Sequence, residues 1–272
     1  GNGSGLLVVN PSGGTIAFAE KPVRIPGQTL YFDQHGTCVV AATNNLWSEA
    51  LVCGGTLRCD LPNALPPAAA LKIGIAYSVN GTLDLNGNDQ TAGRLYMGTF
   101  LAGQRVIRSD APATLTVHQN ANDTLDLRFD GAVSLLKSGT GTLTLTNAFS
   151  TTSGGFSVTN GTLAVSGAGT FGPNCTNVTV LGNGTLSLAN SAAIADTAAV
   201  TMPEAGVASA KINLSAGVNE TVGWLFYGEK MKRAGTYGAV GSGAKYQDDT
   251  HFAGTGVLTV RYDHSGTLMF LQ

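Results

Sequence analysis

The chain has 272 residues, enough for one long solenoid or two ordinary domains. Hydrophobic residues make up 43% and charged residues 12%, against roughly 25% charge in an average soluble domain, which excludes a self-repelling disordered chain. The net charge of −2 is spread thinly, and the densest basic run, Lys230-Met231-Lys232-Arg233, reads as a solvated turn; nucleic acid is excluded as a partner, and no apolar run reaches the roughly 18 residues of a membrane span.

Glycine is abundant, at 37 residues, with Thr, Asn and Ser around it. That mixture suits short strands separated by tight turns, because Gly and Asn tolerate positive φ and Thr favours the pleat. The opening Gly1-Asn2-Gly3-Ser4-Gly5 reads as the start of a processed chain or as a piece of a longer one. Residues 1–51, with Pro11, Pro22, Pro26 and the pair Tyr31-Phe32, fit the later pattern poorly and read as an N-terminal cap or irregular β segment. From residue 52 to 272 a repeated element predicts a β-solenoid. It appears as Gly55-Thr56-Leu57, Gly81-Thr82-Leu83-Asp84-Leu85, Gly141-Thr142-Leu143-Thr144-Leu145, Gly161-Thr162-Leu163-Ala164-Val165, Gly184-Thr185-Leu186-Ser187-Leu188 and Gly266-Thr267-Leu268-Met269-Phe270. In each, Leu and Val occupy one face of a strand and Thr, Asp or Ser the other.

The spacing decides between sandwich and solenoid. From Gly55 to Gly81 is 26 residues, from Gly141 to Gly161 is 20 and from Gly161 to Gly184 is 23. Hairpin sandwiches repeat about every 8–12 residues, whereas solenoid coils repeat over about 20–50. A longer echo relates two halves, about 52–131 and 161–263: Thr91, Gly93 and Leu95 recur 130 residues on as Thr221, Gly223 and Leu225. Each set follows an Ala-rich stretch, Ala64 to Ala70 or Ala192 to Ala199, expected to form a short helix or an extended bend. The stretch from Tyr237 to Gln272 reads as a second cap.

Leu136-Lys137-Ser138-Gly139-Thr140-Gly141-Thr142-Leu143-Thr144-Leu145, followed by Gly154-Gly155-Phe156-Ser157-Val158-Thr159-Asn160-Gly161-Thr162-Leu163, resembles the autotransporter-associated β-strand repeat, whose pattern runs K-x-G-x-G-x-L-x-L, a Gly-Gly bend, a Val-containing strand and G-T-L. The match is closest over residues 133–165. The resemblance implies a right-handed parallel β-helix from a bacterial surface or secreted protein, and it carries no catalytic residues and no cofactor with it. Members of that family end in a membrane barrel, and no such domain follows within these residues.

Few groupings suggest chemistry. Asp126, Arg128 and Asp130 share one strand face; they fit an acid–base pair acting on a polysaccharide, but an ion-pair ladder ranks ahead. Asp248-Asp249-Thr250-His251 fits acid–base or metal chemistry, with a polar loop the plainer account. Asp84 to Asp89 begins like a calcium loop, yet Asp89 and Leu95 stand where an EF-hand needs Gly and Glu. Trp224 and Tyr227 could stack on sugar rings, with core packing ranked ahead. Among Cys38, Cys53, Cys59 and Cys175, two readings stand side by side: a disulfide within the first three in an oxidising compartment, or small buried apolar side chains. Together these features predict a non-catalytic extracellular or cell-surface structural protein: a stalk, an adhesin body, or a filament subunit self-associating end to end or laterally, with extracellular polysaccharide as a candidate partner. The alternatives are a polysaccharide-active lyase or glycoside hydrolase on the same fold, and a carbohydrate-binding module.

Overall fold

The computed structural model describes residues 5–9, 13–33, 35–74, 80–98 and 104–263, the first segment by its backbone alone. The repeat at Gly266 to Phe270 lies outside the described residues. The protein is an all-β solenoid of about 9 turns, its strands mostly parallel, with no helix among the described residues.

The Gly-Thr-Leu element explains why the coils stack. Gly55 lies opposite Gly81, Thr142 opposite Thr162, and Gly161 opposite Gly184, so the spacings along the sequence are the ladder registers themselves. One column of side chains follows from this: Leu143, Leu163, Leu186, Ile212 and Phe252 are successive partners, all buried. Leu57, Leu83, Ile107 and Phe129 form another. Each such burial contributes about 1.5–3 kcal/mol, and a slip by one residue would turn the whole column outward. In the middle coils the core is aromatic, with Phe156 stacked on Phe171 at 4.2 Å and edge-on to Phe129 at 5.3 Å.

Three sheets wrap this core. Gly5–Val9, Thr29–Asp33, Glu49–Val52, Ala70–Ile73 and Arg94–Met97 form a five-stranded parallel sheet, so residues 1–51, expected as an N-terminal cap or irregular β segment, contribute strands to it. A sixteen-stranded sheet contains the long strands Arg105–His118, Arg128–Ser138, Phe156–Val165 and Asn177–Leu188. Their ladders skip register between Ser109 and Ala113 and between Val158 and Asn160. Glycine is required at two such places. Gly131 has φ +73° and an added Cβ would fall on the Ser109 carbonyl oxygen; Gly161 has φ +63° and a Cβ there would meet the carbonyl oxygens of Gly139 and Gly141 at 2.5 Å.

The Ala-rich stretches are bends rather than helices. Small side chains let the next coil approach closely: Gly93 donates its amide to Ala69 and Gly223 donates to Ala198, the same contact in each half. The two halves diverge after Tyr227. Most coils repeat every 19–26 residues, but 40 separate Ile212 from its partner Phe252. The added chain folds back over the end of the solenoid. Lys230–Met231 pairs antiparallel with Trp224–Tyr227, and Gly235–Gly238 pairs antiparallel with Val257–Val260. Two strand edges that would otherwise be open are thereby covered.

Candidate functional site

Several polar side chains point into the solenoid, and their partners show what they do. Asn45 Oδ1 accepts the amide of Val23, Gln90 Oε1 that of Leu65, and Gln119 Oε1 that of Leu95, in each case one coil earlier. Glu220, the counterpart of Gln90, accepts from two consecutive amides, Ile194 at 2.8 Å and Ala193 at 3.2 Å. Burial pushes the Glu220 carboxyl up to about 7, against the pull of those two hydrogen bonds. Lys137 is likewise fully buried, its Nζ donating to the carbonyls of Gly139 and Asn160 at 2.7 Å each, and desolvation brings it down to about 8. These groups replace backbone hydrogen bonds where the ladder is interrupted.

Two surface clefts hold the residues singled out in the sequence. The first lies at the C-terminal end, encloses about 440 Å³ and is lined by Tyr227, Lys232, Arg233, Tyr237, Tyr246 and Asp248. Tyr227 stacks on the buried His251 ring at 3.9 Å and carries Lys232 Nζ at 4.4 Å from its centre. Its hydroxyl donates to Asp248 Oδ2 at 3.3 Å, and burial together with that carboxylate pushes the phenol pKa up. Tyr237 is pushed up to about 12, chiefly by burial. Burial opposes ionisation of Asp248, but hydrogen bonds from His251 and Thr250 outweigh it and hold the carboxyl below its usual range. His251 Nδ1 bonds Asp248 at 2.6 Å and Nε2 bonds the Pro203 carbonyl at 3.0 Å. Both ring nitrogens are thus engaged, and with 2% exposure the ring has none to offer a substrate. Tyr227 is brought to the Asp248–His251 pair, whereas Trp224 packs elsewhere, tilted against Tyr262 at 5.0 Å.

The second cleft, of about 300 Å³, spans three coils and is lined by Gln104, Arg105, Asp126, Arg128, Asn147 and Phe149. Arg128 pairs with Asp130, whose Oδ1 also accepts Thr151 Oγ1 at 2.8 Å. Asp126 accepts Asn147 Nδ2 at 2.7 Å and lies 3.9 Å from Arg105 Nη1. The strand face expected to carry all three residues is broken between Leu125 and Arg128, and two separate ion pairs replace a ladder: Arg128 with Asp130 along the strand, and Asp126 with Arg105 of the neighbouring coil. Asn147, Phe149 and Arg105 carried no sequence signal: each lies in or beside a connection with no periodicity.

Of the two readings of the cysteines, the structure places them as small, mostly buried side chains, and none of the four is disulfide-bonded. Cys38 and Cys59 lie on adjacent strands, opposite Leu57 and Val40, facing the core. Burial pushes the Cys38 and Cys175 thiols up to about 12. In the Asp84–Asp89 turn, Asp84 accepts the Asn86 amide and Asp89 the Thr114 amide, so both carboxylates brace backbone. Among the described residues no three His, Cys, Asp or Glu side chains converge as a metal ion would require. Fold and contacts together define a parallel β-solenoid whose inward polar groups serve its own backbone. Comparison with protein-family models, curated proteins and solved structures finds no match to this chain.

Proposed function

We propose that this chain is the non-catalytic shaft of an extracellular or cell-surface bacterial protein, a stalk or adhesin body of the autotransporter-repeat kind. The observation that carries this reading is where the buried polar groups go. Gln90, Gln119, Lys137, Glu220 and His251 spend their hydrogen bonds on backbone or on neighbouring side chains, as a rigid rod requires. The polysaccharide-enzyme reading would need Asp126 and Asp130 released from Asn147, Thr151 and the arginines that hold them. End-to-end polymerisation has less support than a stalk, because antiparallel strands occupy two edges at the C-terminal end.

Negative-stain electron microscopy over a concentration series, with reducing-end assays on polysaccharides, tests the reading. Isolated rods of constant length and intact polysaccharide are expected. Fibres that lengthen with concentration would replace the shaft with a filament subunit, and released reducing ends would overturn the non-catalytic assignment.

A further inference from the structure

The cleft spanning three coils has features that the shaft reading does not require. Phe149 is 72% exposed, and none of the aromatic pairs among the described residues includes it. One coil later Phe171 turns inward, is fully buried and stacks on Phe156, so a phenylalanine in this region has a core position within reach. The Phe149 loop is also held open from both sides. The Phe149 amide donates to Asn147 Oδ1 at 2.8 Å, and Ser150 Oγ, buried, accepts the amide of Phe129 at 3.3 Å. A lone exposed apolar side chain is ordinary; one fixed at the lip of a polar cleft is a platform.

The polar wall is preorganised. Asn147 steadies Asp126, whose side chain is 60% exposed, and Arg105, only 9% exposed, donates through Nη1 to the Asp126 carbonyl oxygen at 3.5 Å. Gln104 is exposed at the rim. A flat apolar ring beside an exposed carboxylate matches a pyranose: the ring takes the C–H face, and the Asp126 carboxylate, held in place by Asn147 and Arg105, accepts from adjacent hydroxyls. Two arginines balance Asp126 and Asp130, which favours an uncharged sugar over a uronate.

We propose that the cleft formed by Gln104, Arg105, Asp126, Arg128, Asn147 and Phe149 binds a neutral hexopyranose unit of a polysaccharide. This goes beyond the shaft reading, since a rod lacking the site would still be a rod. The volume, at the lower end for ligand sites, limits recognition to about one or two sugar rings, and the expected dissociation constant is on the order of 1 mM.

Amide-resolved NMR titration of the full chain with tetrasaccharides of glucose, galactose and mannose, and with a uronate tetrasaccharide as the charged control, tests it. At least one neutral sugar is expected to shift the amides around residues 104–108, 126–130 and 147–150 in a saturable way, largely independent of salt. Phe149→Ala is expected to weaken binding about tenfold while leaving the melting temperature unchanged, because the ring has few contacts to lose. Asp126→Asn, in which the carboxylate becomes an amide of the same shape, is expected to weaken it as well. The proposal is overturned by no saturable shift with any neutral tetrasaccharide up to about 20 mM, a range extending well beyond the affinity expected. Binding indifferent to Phe149→Ala, or uronate binding alone that salt abolishes, would overturn it too. Cleavage of a bound sugar would leave this site standing and remove the non-catalytic reading instead.

Discussion

Glu220 makes the stability of the protein depend on pH in a direction opposite to that of most carboxylates. Its folded pKa of about 7 lies above the ordinary 4.5 because the carboxyl is buried. Between those values the native state holds a proton that the unfolded chain releases, so stability is greatest below pH 4.5 and declines as pH rises through 7. At about 1.36 kcal/mol per unit, the full loss is about 3 kcal/mol, most of it falling between pH 5 and pH 8. For a chain of this size that is a drop of about 5–10 °C in melting temperature. Urea unfolding at pH 5 and pH 8, followed by tryptophan fluorescence, measures it. Glu220→Gln removes the titration and should shrink the pH 5-to-8 difference by about 2 kcal/mol. Glutamine sets its –NH2 against one of the two backbone amides, Ala193 and Ile194, that Glu220 meets with oxygen, so the variant should also be the less stable at pH 5, by about 1–3 kcal/mol. Parallel pH profiles for the wild type and Glu220→Gln would refute the argument.

Lys137 acts in the alkaline range: its lowered pKa means that the unfolded chain binds a proton the native state lacks, so stability should rise from about pH 8 toward 10.5, and Lys137→Met should abolish that rise in a thermal scan. The same substitution leaves the Gly139 and Asn160 carbonyls without their donor and should cost about 2–4 kcal/mol by urea unfolding at neutral pH. Gly161→Ala should destabilise by at least about 1–2 kcal/mol, since φ is +63° and the neighbouring carbonyls are backbone and cannot swing aside; an unchanged unfolding midpoint would refute this. In a thiol-labelling assay the buried Cys38, Cys59 and Cys175 should react only on unfolding and the half-buried Cys53 first, with all four labelled in urea without reductant. Tyr237→Ala removes a buried ring that packs on Tyr246 at 4.8 Å within the strands that cover the Val257–Val260 edge; a loss of about 3–5 kcal/mol and concentration-dependent association by light scattering are expected as that edge opens.

The coil period could be read from the sequence because one physical rule, Leu inward and Thr outward, holds in coil after coil, and the Gly entering each strand marks its phase. The inward charges were harder to read, since Lys and Glu are rarely buried. A signal existed even so. Lys137 shares the parity of the buried Val133 and Leu135, and Glu220 that of the buried Val222. The role of Lys137 is physical: it ties the turn carbonyl of Gly139 to that of Asn160 in the next coil. The short strands added at the C-terminal end were not legible. Lys230–Met231 and Tyr246–Gln247 are two residues long, too short for any period, and their pairing is set by the edges they cover.

The inward polar groups also explain how coils as different as 19 and 26 residues share one ladder. A corner of changed length leaves an amide of the previous coil without a carbonyl opposite, and a buried side chain restores the bond. Where one amide is orphaned, Gln90 or Gln119 serves, its oxygen accepting the amide and its nitrogen donating to nearby backbone carbonyls. Where two consecutive amides, Ala193 and Ile194, meet the two ends of one side-chain head, Gln would set its –NH2 against one of them, and Glu presents an oxygen to each. Glu220 therefore stands where the first half of the chain has Gln90 because geometry asks for two oxygens, and the pH sensitivity follows from burying a carboxyl whose ionisation that burial opposes.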